Sequence, residues 1–145
     1  MNTELPRILV GVDFSHASRR AADEAQQLAA QMGAQIDLVH ICPLPPAGAE
    51  LSVPIDAGAM ERARRELATV ERELRDEGFA AKTHLGVGDP VAGLLDYIRR
   101  LQPALVVVGS HGHGAVLRLL MGSVAESLIR RAGVPVMVVP AASAA

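Results

Sequence analysis

Four residues in the C-terminal half have the types and spacing to hold an anion. Gly109 and Gly112 are separated by two residues, and after nine more come Gly122 and Ser123. Glycine lets a backbone approach a ligand closely and take dihedrals that a Cβ forbids. Ser123 at a helix start would add a hydroxyl to free N–H groups at the positive end of the dipole, which together suit a phosphate. The same glycines would also be needed if they only permitted tight turns. Asp13, followed by Phe14 and Ser15, closes the first apolar run. A carboxylate there can accept hydrogen bonds from both hydroxyls of a ribose, or it can turn the chain into a helix as an Asx motif. After the second apolar run, backbone groups around His40 and Ile41 can read an adenine edge without any special side chain.

Other reactive types fit bland roles better. His111 and His113 flank Gly112 with no nearby cysteine or acidic partner, a poor zinc site. A divalent cation would instead arrive as Mg²⁺ with the phosphates, and His111 can still touch a phosphate. The Gly-Lys-Ser/Thr of a P-loop is missing, and the only lysine, Lys82, lies on the wrong element to stabilise a transferring phosphoryl group. Arg118 is the nearest cation to the glycines and reads as solvent-facing. The pairs Arg19-Arg20, Arg64-Arg65, Arg99-Arg100 and Arg130-Arg131 each alternate with apolar positions and read as solvated helix faces. Cys42 has nothing beside it to lower its pKa, so a passive thiol is expected.

The elements that must position these residues alternate. Ile8 to Val12 reads as a strand, Ser15 as an N-cap, and Ala17, Ala21, Ala25, Leu28 and Met32 as one helical stripe ended by Gly33. Ile36 to Ile41 is a second strand. Cys42 to Gly58 carries four prolines and reads as a long loop of the kind that is often functional. Met60, Ala63, Leu67, Val70 and Leu74 make a second helix, and Ala81 to Val87 a weaker strand. Asp89 and Pro90 form an N-cap and N1 pair for a helix with Val91, Leu94, Leu95, Ile98 and Leu101 inward, stopped by Pro103. Ala104 to Val108 is a wholly apolar, interior strand. A helix over Ser123 to Ala132 and a strand over Val134 to Val139 complete the chain, with a frayed tail from Ala141. Such alternation implies right-handed crossovers and an open parallel sheet with helices on both faces. Ligands of these sheets bind beyond the carboxyl ends of the strands, where the strand order reverses.

Composition agrees. The 145 residues suit one domain, residues 1–145, and are 50% hydrophobic but only 2% aromatic. The core must therefore be aliphatic, as in strands buried on both faces. A net charge of -2 and few stacking side chains argue against a nucleic-acid partner. One cysteine fits a reducing compartment. Neither a signal-peptide pattern at Met1 to Arg7 nor a membrane-length apolar run is seen, so a soluble cytoplasmic domain is expected.

The spacing Gly109, Gly112, Gly122, Ser123 closely resembles the Gly-x2-Gly-x9-Gly-Ser/Thr motif of ATP-binding universal stress proteins. The resemblance runs from Arg7-Ile8-Leu9-Val10-Gly11-Val12-Asp13-Phe14-Ser15 to Val134-Pro135-Val136. It implies a Rossmann-like α/β fold of the adenine nucleotide alpha hydrolase type, with strand order 3-2-1-4-5. Asp13 would bind the ribose and Ile41 would give backbone contacts to adenine. Val108 and Gly109 would pass beside the adenosine, and Gly112, Gly122, Ser123 and Val124 would hold the phosphates. Gly11, next to Val12 near the nucleotide, stands where many relatives have Pro, making the first turn less rigid. The resemblance further implies ATP, or ADP or AMP, with Mg²⁺. It points to a stress-response regulator or sensor with at most slow hydrolysis or autophosphorylation. A homodimer through the apolar edge strand Val134 to Val139 is expected, and a regulatory protein partner. A nucleotidyl transferase-like enzyme would need a His-rich motif after the first strand, where Asp13-Phe14-Ser15-His16-Ala17 stands instead. A scaffold that has lost nucleotide is the other alternative.

Overall fold

The computed structural model describes residues 4–44, 57–111 and 121–141. Gly112, His113, Arg118, residues 45–56 of the proline-rich segment and the tail from residue 142 lie outside the described residues. The elements are β1 (Arg7–Gly11), α1 (His16–Met32), β2 (Gln35–Cys42), α2 (Ala57–Asp76), β3 (Ala81–Val87), α3 (Pro90–Leu101), β4 (Leu105–Gly109), α4 (Ser123–Arg131) and β5 (Val136–Val139).

All pairings are parallel and the sheet order is β3-β2-β1-β4-β5. The sequence expectation of an open five-stranded sheet in this order is met. Ile8, Val10, Ile36, Leu38 and Val107 pack with the alanines of α1 and with Leu67 and Leu74 of α2 on one face. Leu9, Val39, Ile41, Val106 and Val108 pack with Leu94, Leu95 and Ile98 of α3 and Leu128 of α4 on the other. Period-2 alternation in the strands thus serves two helical layers at once, as burial on both faces requires.

Local chemistry starts and stops the helices. The Ser15 hydroxyl accepts from Ser18 N–H at the head of α1, and Gly33 ends it at φ 66°. Asp89 caps α3 through Ala92 N–H, with Pro90 in the first turn. Gln102, with φ 48°, closes it in the left-handed region. The expected α1 stripe needs one correction: Met32 is exposed, and the buried face is Ala17, Ser18, Ala21, Ala25 and Ala29. These small side chains let α1 lie close to the sheet, while Met32 falls off the i, i+4 row they define. The proline-rich loop is also shorter at both ends than expected. Cys42 pairs with Val87 as the last residue of β2, and Ala57 and Gly58 already belong to α2.

No helix among the described residues is long and apolar enough to cross a membrane.

Candidate functional site

β1 has β2 on one side and β4 on the other, so the sheet order reverses there, and its carboxyl edge is the place to examine. Gly11 pairs with Val39 and Val108, which sets Asp13 beside the Gly109–His111 segment at that edge. Asp13 is held tightly. Its N–H donates to Ser18 Oγ at 3.3 Å, and its Oδ1 accepts from Ser15 N–H at 2.9 Å. The Asx turn read from the sequence is therefore formed. A carboxylate has lone pairs beyond the one that Ser15 uses, so the turn and a ribose contact are compatible. Between them Phe14 adopts φ 63°, a left-handed conformation that costs a side-chain-bearing residue about 1–2 kcal/mol. Its ring lies 4.8 Å from that of His40.

Gly109 ends β4, and a Cβ there would stand 2.8 Å from Ala17 C and Cβ and 2.9 Å from Ser18 N. The first turn of α1 thus presses on Gly109. Gly122 N–H donates to Ser110 O at 2.6 Å, and Ser110 N–H to Val139 O at 2.8 Å. Two helix starts converge on the Gly109–Ser110 corner, and they differ. At the head of α1 the Ser15 hydroxyl takes Ser18 N–H and the Asp13 carboxylate takes Ser15 N–H, whereas the N-cap of α4 is Gly122, which has no side chain to cap with. Helix-start donors that no side chain takes favour an anion.

The expectation that Gly122 offers its own N–H to phosphate meets a competing bond, since that N–H is already given to Ser110. Ser123 and Val124 supply the next donors in the first turn of α4, and the Ser123 side chain is exposed. Val108 and Ile41 are 4% and 6% exposed, so only their backbones can face a ligand. Ile41 Cδ1 stands 2.8 Å from where Cβ atoms of Gly86 and Gly93 would be, which shows the side chain committed to the α3 layer. Gly11 faces the same layer, 3.0 Å from Val108 Cγ1 by its ideal Cβ. His111 Nδ1 lies 2.9 Å from Ser110 Oγ, and its Nε2 is buried with no hydrogen-bond partner among the described residues. Cys42 is buried, and burial pushes its thiol pKa up, away from reactivity. Among the described residues no group of His, Cys, Asp and Glu is placed to hold a metal ion.

Two features had not been read from the sequence. His40 Nδ1 lies 2.7 Å from Val12 O, a contact whose signal was a histidine within an apolar strand. Asp37 is wholly buried on β2, with Arg7 Nη1 at 3.2 Å and His84 Nε2 at 3.0 Å. Its signal was an acid between Ile36 and Leu38. This cluster lies toward the opposite edge of the sheet from Asp13. A cleft of about 400 Å³ is also away from the site, lined by Ile98, Arg99, Gln102, Pro103, Ala132 and Val134.

An open parallel sheet in this order, with helices on both faces, defines a doubly wound α/β fold of the kind whose ligands bind at the switch point. A model of the Universal stress protein family matches residues 4–140, so the chain belongs to the universal stress protein family. It is 30% identical to universal stress protein A homolog 1 of Coxiella burnetii over 138 residues, 91% of this chain and 94% of that one. Universal stress protein MJ0577 of Methanocaldococcus jannaschii is 32% identical over 79 residues, and the match spans 54% of this chain and about half (49%) of the relative's length. The solved structure of MJ0577 superposes with a TM-score of 0.85 at 24% identity, covering 98% of this chain and 100% of that one. A universal stress protein solved in complex with cAMP superposes at TM-score 0.70 and 25% identity, covering 97% of this chain and 100% of that one.

Proposed function

We propose that this chain binds an adenine nucleotide, ATP with Mg²⁺ foremost, at the carboxyl edge of β1 and β4, and serves in the cytoplasm as a ligand-dependent stress regulator. The observation that carries the reading is the α4 start, capped by no side chain among the described residues, beside Gly109–His111 and within the same edge as Asp13. The cAMP complex of a relative with this fold supports an adenine ligand. In this reading Ser123 and Val124 give main-chain N–H groups to phosphate, His111 Nε2 faces it, and the Asp13 carboxylate takes the ribose hydroxyls. Ile41, Val108 and Gly109 act through their backbones. Gly112, outside the described residues, keeps its motif role toward phosphate as a proposal. With no lysine at the site, hydrolysis is slow at most.

Mass spectrometry of freshly purified, denatured protein should release an adenine nucleotide. ATP at ~100-fold over Kd should stabilise the domain by about 2.7 kcal/mol, several degrees in melting temperature. Asp13→Ala should weaken ATP by about 10- to 100-fold, the worth of hydrogen bonds to a charged group, and leave 2′,3′-dideoxy-ATP unaffected. Equal loss for both ligands would remove Asp13 from the ribose.

One observation favours a second reading. Gly109 and Gly122 both have packing reasons to be glycine, so the motif alone would also suit a scaffold that binds proteins and no nucleotide. Absence of carried nucleotide together with no thermal shift by ATP, ADP, AMP or cAMP would select the scaffold.

The assembly belongs to the same proposal. β5 is an edge strand with Val136, Met137 and Val138 only partly covered, an invitation to a second copy. Light scattering at micromolar concentration should give the dimer mass, and a charged residue at Val138 should give the monomer. A wild-type monomer at that concentration rejects the pairing.

A further inference from the structure

We propose that His40 is a positioning residue that sets the Asp13 carboxylate for the ribose, by clamping the peptide group between Val12 and Asp13. This deepens the nucleotide reading and rests on it. The register of β1 with β2 ends at Gly11–Val39. One residue further Val12 N–H still donates to Val39 O at 2.9 Å, while the Val12 carbonyl accepts from the His40 side chain at 2.7 Å. That carbonyl shares its peptide plane with Asp13 N–H, which donates to Ser18 Oγ at 3.3 Å. The plane is therefore held on both sides, by β2 through His40 and by α1 through Ser18. With the plane fixed and Oδ1 tied to Ser15 N–H, little rotation is left to the carboxylate. The Phe14 ring packs on His40 at 4.8 Å and keeps the imidazole in place.

A carbonyl oxygen only accepts, so His40 Nδ1 must carry a proton. The bond thus demands the Nδ1–H tautomer or the cation, and it demands a donor at the Nδ1 position. Asparagine places an N–H₂ the same number of bonds from Cβ; glutamine places it one bond further.

The test compares the ratio of Kd for 2′,3′-dideoxy-ATP to Kd for ATP, the contribution of the ribose hydroxyls, in wild type and three variants. His40→Ala and His40→Gln should shrink that ratio about tenfold, roughly the worth of one positioned hydrogen bond, with dideoxy-ATP affinity unchanged. His40→Asn should restore it to within about twofold. Nitrogen-15 NMR of the wild type without nucleotide should show a protonated Nδ1 at neutral pH. A merely structural role would lower both affinities together and would not separate asparagine from glutamine, and that pattern overturns the inference. So does an unprotonated Nδ1, or an alanine variant with the wild-type ratio. A wild type that binds neither nucleotide overturns the nucleotide reading and this inference with it. One that binds both equally overturns the ribose role of Asp13 and, with it, this inference.

Discussion

Asp37→Ala should lower the melting temperature by about 10 °C. Removing one member of a buried ion pair typically costs about 3–5 kcal/mol, because the remaining charge loses its partner in a low-dielectric setting. In a domain of this size each kcal/mol is worth about 3–4 °C. Asp37 is 0% exposed, and Arg7 and His84 are 27% and 20% exposed at their side chains. Partial exposure lets the two bases reach water after the loss, which puts the expectation near the lower end, about 3 kcal/mol. Gln35 Nε2 adds a bond to the same carboxylate at 3.2 Å. Three strands are stapled at this point, since Arg7, Asp37 and His84 stand on β1, β2 and β3.

Burial alone would push the Asp37 carboxyl up. The hydrogen bond from His84 and the Arg7 charge, with smaller help from the His84 charge and the Arg7 hydrogen bond, outweigh it and hold the pKa below its usual value. A carboxyl held lower in the folded than the unfolded state stabilises the fold above its unfolded pKa. That contribution fades as pH falls through the folded value. The wild type should therefore lose stability below about pH 4, the ordinary carboxyl range, more steeply than Asp37→Asn, which has no proton to gain. Thermal melts of both proteins from pH 7 to 3 decide it. Parallel curves would show that the cluster carries no linked proton.

Gly109→Ala should cost about 1–3 kcal/mol and also weaken nucleotide binding, although a single methyl is added. The new Cβ would meet backbone atoms of Ala17 and Ser18 at 2.8 and 2.9 Å. Backbone cannot turn away as a side chain does, so the first turn of α1 must move or the strand must bend, an overpacking cost of that size. Moving that turn moves Ser18, which holds Asp13 N–H, and Ser15, which Asp13 holds. Stability and affinity then fall together, the affinity by about tenfold or more. Gly86 provides the contrast. Its Cβ would meet Ile41 Cδ1 at 2.8 Å, the far end of a side chain that can rotate, so Gly86→Ala should cost less than Gly109→Ala. Gly122→Ala is intermediate: it would sit 3.0 Å from Ser110 O, a few tenths of an ångström too close, and should affect phosphate contact more than folding. Melts of the three ligand-free variants rank them. Equal stability of Gly109→Ala and wild type would refute the packing argument.

These glycines also show why the site was only partly legible beforehand. Glycine spacing pointed to the corner where β4 ends and α4 begins, and a tight-turn explanation stood beside the ligand explanation. Neither anticipated that a helix start seventeen to eighteen residues into the chain would press on residue 109, because nothing in the local sequence records that approach. The His40 bond to Val12 spans 28 positions, and the Asp37 contacts span 30 and 47. Phe14 in the left-handed region runs against its own preference, and a reading by propensity has no reason to expect it.

What the amino-acid order determined unaided was the part governed by neighbours in the chain. Ser15 and the Asp89-Pro90 pair start helices where they stand, Gly33 ends one, and period-2 apolar runs become two-faced strands whose alternation with helices dictates a parallel sheet. Strand ends came out within one or two residues, with β5 beginning at Val136 rather than Val134 and β2 reaching Cys42. Tertiary structure alone decided which donors remain for a ligand. Gly122 N–H is spent on Ser110, Ser18 N–H and Ser15 N–H at the head of α1 go to its own serine and aspartate, and among the described residues no side chain caps α4. Hydrogen-bond capacity is allotted in space, between groups that folding brings within 3 Å or so, and a linear spacing rule cannot see who has already claimed a donor.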